Sequence, residues 1–202
     1  MQAPAHPATS ALADALIVDP FYLAISVDFA ADPAARKAVL ASYFGYSLGE
    51  AARTGRCLST PDVSVGAAAW LLPRDSATDA RESAAKKQFL AATLSPRGLQ
   101  EYNRIVSFMT PNARSVVPPW AWYLSILGVA PSQQGRGLGR QLLEPTLAEA
   151  DAAGAPCFLE TFTPPSVPFY EKLGFRAAAR HREPVTQTHY LIMVRAPVQA
   201  GK

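Results

Sequence analysis

WAWYLSILGVAPSQQGRGLG, residues 120–139, decides the fold. Its first ten residues are aromatic and β-branched without a charge, which suits a buried strand, and Pro131 ends that strand. A glycine-rich turn follows at once. Residues 138–153 then place Leu138, Leu142, Leu143, Leu147 and Ala150 on one helical face up to Gly154, a left-handed stop. Pro145 lies inside this helix. Residues 156–162 read as the next strand, 166–173 as a short helix, and 175–182 with 187–194 as a final strand pair. Strand, turn, helix and strand in that order make a βαβ unit, and the terminal hairpin makes the sheet mixed.

Upstream, residues 34–53 carry Val39, Leu40, Tyr43, Phe44 and Leu48 at helical spacing, opened by Asp32-Pro33 and closed by Gly55. Residues 56–60 and 63–72 are β-prone and separated by Pro61-Asp62, which predicts a hairpin. Residues 79–94 and 99–109 read as helices broken at Pro96-Arg97-Gly98. The opening MQAPAHPATSALADALIVDP has no basic n-region, and Asp14 interrupts its apolar stretch, so no secretory signal is expected. Residues 1–18 read as an N-terminal tail on a cytoplasmic protein, and 19–202 as one domain.

A chain of 202 residues that is 49% apolar can bury a substantial core, which excludes disordered and fibrous classes. Nineteen Lys and Arg against 16 Asp and Glu leave a net charge of +3, scattered with no block of five like charges, so no nucleic-acid partner is expected. The uncharged run around 120–129 is bracketed by Pro118, Pro119 and Pro131 and is too short for a membrane span of roughly 20 residues. Cys57 and Cys157 read as ordinary thiols. His6, His181 and His189 have no i, i+4 pairing and no neighbouring cysteine, so no metal site is expected. A homodimer is left open.

The turn Gln134-Gly135-Arg136-Gly137-Leu138-Gly139 lies between a strand end and a helix start, where convergent backbone N–H groups can cradle a phosphate. Glycine suits that task because it leaves the backbone approachable and tolerates positive φ. Arg136 and Arg140 can add charge. Three patterns compete for the turn. The P-loop pattern G-x-x-x-x-G-K-[ST] is absent, and the dinucleotide fingerprint G-x-G-x-x-G meets Arg140 where its third glycine is required. Q-x-x-G-x-G remains, on Gln134, Gly137 and Gly139.

With Leu127-Gly128-Val129 on the preceding strand, that hexapeptide resembles the [QR]-x-x-G-x-[GA] motif of the GNAT superfamily of N-acetyltransferases. A second block, PFYEKLGF at 168–175, resembles the family's Y-x-x-x-G-F segment. Residues 120–175 look most like the branch that contains puromycin N-acetyltransferase, and 67–73 more loosely like its third strand. The first 60 or so residues show only faint likeness. The resemblance implies an α/β fold of the GNAT acyl-CoA N-acyltransferase type: a central mixed twisted sheet flanked by helices, with the cofactor-binding half at about 120–182.

It also implies acetyl-CoA as co-substrate, without a metal. The backbone of Leu127, Gly128 and Val129 would bind the pantetheine arm where two parallel strands splay. Gln134, Gly135, Arg136, Gly137, Leu138, Gly139 and Arg140 would hold the pyrophosphate, with Ser166 also on the cofactor side. Tyr170 falls on the tyrosine that protonates the departing thiolate; without the motif it reads as aromatic packing beside Phe169 and Phe175. Glu160, on the strand that places Phe158, Glu160 and Phe162 on one face, is a candidate base, and equally a substrate-binding anion or a solvated strand end. The preceding strand carries no carboxylate, where many relatives keep one. Trp120, Trp122 and Tyr123 read as core residues or as walls of an acceptor pocket. The expected reaction is acetyl transfer to the primary amine of a small molecule. A protein or peptide acceptor, or a non-catalytic acyl-CoA-binding module, are the alternatives.

Overall fold

The computed structural model describes residues 6–198. Three helices open with the same device, an acidic or hydroxyl cap followed by proline, which pre-sets the first turn while the cap oxygen accepts a free N–H. Asp19 caps α2 (Pro20–Ile25), Asp32 caps α3 (Pro33–Thr54) and Ser95 caps α5 (Pro96–Val116). Asp75 caps α4 (Ser76–Thr93) through Thr78 N–H. Helix α5 runs past the predicted residue 109, through Pro111, to Val116.

The strands are β1 (Gly55–Ser59), β2 (Gly66–Leu71), β3 (Trp122–Val129), β4 (Cys157–Thr161), β5 (Arg176–Arg182) and β6 (His189–Arg195). They form one mixed six-stranded sheet in the order β1-β2-β3-β4-β6-β5. Only β3 and β4 are parallel, and they pair over just three residues, Trp122 to Cys157 through Leu124 to Leu159. Beyond Leu124, β3 continues to Val129 alongside β2 alone, so β3 and β4 diverge.

Helix α6 (Leu138–Ala152) covers one face, burying Leu142, Leu143 and Leu147 against Trp70, Leu124, Leu159 and Met193. It passes through Pro145 as one helix. Helix α7 (Val167–Lys172) follows β4 on the same side. The other face is covered by α3 and by an eight-residue helix that the sequence did not announce.

That helix, α1 (Thr9–Leu16), corrects the expected tail over residues 1–18. Ala8, Leu12 and Ala13 are fully buried in the cluster that holds Leu40, Phe44 and Leu48 of α3. Eight residues cannot hold a helix alone in water, so packing sustains it. Gly128 explains the fit, because a Cβ there would lie 2.5 Å from Leu12 Cδ2. Residues 1–5 of the expected tail lie outside the described residues. No helix among the described residues is long and apolar enough to cross a membrane.

Candidate functional site

The glycine turn sits where β3 runs out. Gln134 Nε2 donates to Val129 O at 3.0 Å, tying the turn to the strand end. Gly135 and Gly137 adopt φ of +77° and +80°, and nothing lies within 4 Å of where a Cβ would stand on either. Backbone strain, rather than space, therefore demands glycine at both positions.

Gly137 begins α6 with no side-chain cap, and the first α-helical bond is Gln141 N–H to Gly137 O at 3.1 Å. The amides of Leu138, Gly139 and Arg140 precede that bond, at the positive end of a 15-residue helix with no acidic residue in its first turn. Arg136 is exposed beside them and forms no ion pair among the described residues. Arg140 is placed less freely than expected, because its Nε donates to Glu144 one turn on. Gly139 faces α7, where a Cβ would meet Phe169 Cζ at 3.3 Å. The turn and the helix carrying Tyr170 are thus in contact.

The splay of β3 from β4 opens into a cavity of ≈130 Å³ lined by Ser125, Ile126 and Leu127 of β3, Glu160 of β4 and Tyr170 of α7. The tyrosine ring packs edge-on against Phe175, with centroids 6.0 Å apart, so the packing and cavity-lining readings of Tyr170 are both met. Burial raises its hydroxyl well above the ordinary tyrosine value, and the Asp19 carboxylate adds to the rise. It stays a donor at neutral pH.

Glu160 shares the face of Phe158, and both meet Tyr123: the Tyr123 and Phe158 rings stack at 4.5 Å, and the Tyr123 hydroxyl donates to Glu160 Oε2 at 3.3 Å. Glu160 Oε1 is buried without a partner. Burial pushes the carboxyl from 4.5 up to about 7, against the lowering effect of the Tyr123 bond. A solvated strand end is excluded for it. Of the three aromatic candidates, Tyr123 of β3 lines the cavity, Trp122 of β3 packs toward α6, and Trp120, before the strand begins, is 60% exposed.

Ser166 is committed to the β4–α7 turn. Its hydroxyl donates to Thr163 O at 2.7 Å and lies 3.0 Å from Thr161 Oγ1.

The sequence reading missed the opposite wall. Leu16, Asp19, Phe21, Tyr22 and Tyr43 close the cavity from α1, α2 and α3, with Met109 from α5. Asp19 accepts from Phe21 N–H at 2.9 Å and from the Thr163 hydroxyl at 3.0 Å, so it joins the α2 cap to the turn before α7. Burial raises its carboxyl, and these bonds oppose the rise. The Asp19-Pro20 pair, a twin of Asp32-Pro33, was the signal available for α2. Nothing local announces that Asp19 meets Thr163, 144 residues away.

A model of the acetyltransferase (GNAT) family matches residues 71–175, about half of the chain. Over 55 residues, 27% of the chain, the sequence is 40% identical to an uncharacterized N-acetyltransferase of Schizosaccharomyces pombe, and the match spans 22% of that protein. The fold is similar to a structure described as histone acetyltransferase HPA2 and related acetyltransferase from Corynebacterium glutamicum. The TM-score is 0.61 at 20% identity, covering 96% of this chain and 92% of that one. It is also similar to PH1933 from Pyrococcus horikoshii, with a TM-score of 0.54 at 14% identity, covering 97% and 94%. The family uses acetyl-CoA. The residues present fit that group: an uncapped helix start preceded by two positive-φ glycines suits a pyrophosphate, and the β3 edge beyond Leu124, free of β4, suits an extended amide-bearing arm. The family match over residues 71–175 takes in the splayed strands, the turn and Tyr170 together, and by it the chain belongs to the acetyltransferase (GNAT) family.

Proposed function

We propose that the protein transfers an acetyl group from acetyl-CoA directly to the primary amine of a small molecule. The observation that carries this reading is the enclosure of the acceptor side: α1, α2 and α3 close over the splay, leaving a compact cavity rather than an open groove for a peptide. Bound acetyl-CoA supplies an activated thioester. Gly135 through Arg140 would hold its pyrophosphate, and Leu127 to Val129 its pantetheine arm. Glu160 Oε1, without a partner in the fold, receives a proton from the acceptor ammonium; a carboxyl near 7 is matched to that task at neutral pH. The Tyr170 hydroxyl keeps its proton until a thiolate needs it. Leu16, Phe21 and Tyr22 shield the acceptor from water.

The test is release of the coenzyme A thiol with a panel of small primary amines, set against peptides with free N-termini and lysines. Puromycin belongs in the panel, because residues 120–175 look like that enzyme's branch. Turnover of small amines with silent peptides is expected; the reverse pattern overturns the reading. Acetyl-CoA should also raise the melting temperature where NADH does not, since a ligand at 100 times its Kd adds about 2.7 kcal/mol. Binding without turnover of any amine would instead indicate a non-catalytic module.

A further inference from the structure

The cavity wall carries a second, independent message about the acceptor. Two carboxylates line it, Asp19 at the α2 cap and Glu160 on β4, and no Lys, Arg or His is among the lining residues. The remaining walls are rich in rings: Phe21, Tyr22, Tyr43, Tyr123 and Phe162. Phe21, Tyr22 and Tyr43 are mutually in contact, mostly edge to face, with Tyr22 and Tyr43 centroids 5.8 Å apart. Aromatic faces attract cations, and tyrosine hydroxyls offer dipoles but no countercharge. An anionic substituent entering this space would lose its water, meet the Asp19 carboxylate and find no cation to pair with.

We infer that the acceptor is a compact aromatic primary amine with no carboxylate, and that Asp19 is the residue that rejects the carboxylated counterpart. This rests on the small-amine reading of the same cavity. Two further features place Asp19 in that role. Its Oδ1 is held at the α2 cap by Phe21 N–H, which anchors the charge in the wall. It also lines the same cavity as Glu160, so a substituent on an amine presented to Glu160 shares that confined space with this second carboxylate.

The test uses three acceptors of one skeleton at pH 8: 2-phenylethylamine, phenylalaninamide and phenylalanine, with acetyl-CoA and the full chain. The amine and the amide are expected to be turned over with similar kcat/KM, and phenylalanine to fall at least about tenfold below both, the scale of one close charge repulsion. Phenylalanine turned over as well as phenylethylamine overturns the inference. So does rejection of phenylalaninamide as severe as that of phenylalanine, because bulk rather than charge would then decide.

Asp19→Asn assigns the residue. Asparagine caps helices as well as aspartate and retains an oxygen for Phe21 N–H, and the variant is expected to narrow the phenylethylamine to phenylalanine ratio by about tenfold. An unchanged ratio removes Asp19 from the role. Thr163→Val breaks the hydrogen bond while keeping the charge, and its ratio should stay that of the wild type; a ratio that narrows as in Asp19→Asn would overturn a charge effect in favour of a structural one. Should no small amine be acetylated while peptides are, the small-amine reading itself fails and takes this inference with it. Should small amines react without regard to a carboxylate, only the inference falls.

Discussion

Replacing Glu160 by glutamine should stabilise the protein at alkaline pH while disabling it. In the fold the carboxyl ionises near 7 and in the unfolded chain near its ordinary 4.5. The protonated form is the one the fold tolerates, so full stability is present below about pH 4.5 and is lost as pH rises through 7. The rise from 4.5 to about 7, at about 1.4 kcal/mol per pH unit, amounts to roughly 3 kcal/mol once the group is fully charged in the fold. Glutamine keeps the shape and the oxygen facing the Tyr123 hydroxyl but cannot ionise. Urea unfolding of both proteins at pH 5 and pH 8.5 isolates the ionisation, because any effect of the substitution on packing or hydrogen bonding is common to both pH values. Glu160→Gln should gain about 2 to 3 kcal/mol relative to wild type between the two, a midpoint shift of about 1 M for an m-value near 2 kcal/mol/M. A stability difference that does not change with pH refutes the claim that burial holds this carboxyl neutral. The base assignment would fall with it, since a carboxyl ionised near 4.5 is poorly matched to deprotonating an amine at pH 7.

Three other outcomes are expected. Tyr170→Phe should lower kcat by about a hundredfold or more, the lower range of general acid contributions, with the melting temperature little changed because the ring's contacts with Phe169 and Phe175 survive; steady-state kinetics that match wild type would remove it as the acid. Gly137→Glu imposes a side chain at φ +80°, costing about 1–2 kcal/mol, and brings negative charge to the helix start; calorimetry should show acetyl-CoA affinity weakened by tenfold or more, and unaltered affinity would exclude the turn as the cradle. Asp151→Ala should destabilise the protein by about 3 kcal/mol, because Asp151 holds the buried Arg195 guanidinium through two 2.7 Å bonds. Arg195 lowers the Asp151 carboxyl below 3.8, so this stabilisation is present above about pH 4 and fades as acid titrates the folded carboxylate. Acid unfolding of the variant that parallels wild type would contradict it.

The glycine turn and the elements around it were legible because their constraints are local. Positive φ at Gly135 and Gly137 and an uncapped helix start are written within a few residues of one another, and Tyr170 sits on the short helix that follows the next strand. Strand and helix positions from β3 onward agree with the periodicity to within two or three residues. The N-terminal wall of the cavity was not legible. Helix α1 has Ala8 in the cap position with no side-chain bond, and its segment TSALADAL carries too few large apolar residues to signal a core helix. Its burial is decided by Gly128, far along the chain, which leaves room for Leu12. The residues named on β3 and β4 lie together as the periodicity placed them, but Asp19, Tyr22 and Tyr43 join them only through the tertiary fold.

Only three residue pairs join β3 to β4, so the sheet consists of two panels that meet along a short seam. One panel is β1-β2-β3 and the other β4-β6-β5. Acetyl-CoA bound as proposed would enter between the panels at the open end, where the Thr163 hydroxyl, donating to Asp19, ties the β4–α7 turn to the α2 cap. On the proposed reading, donor and acceptor would meet at this one seam, with the Asp19–Thr163 bond beside both, so the order of substrate addition is the kinetic readout of that shared position.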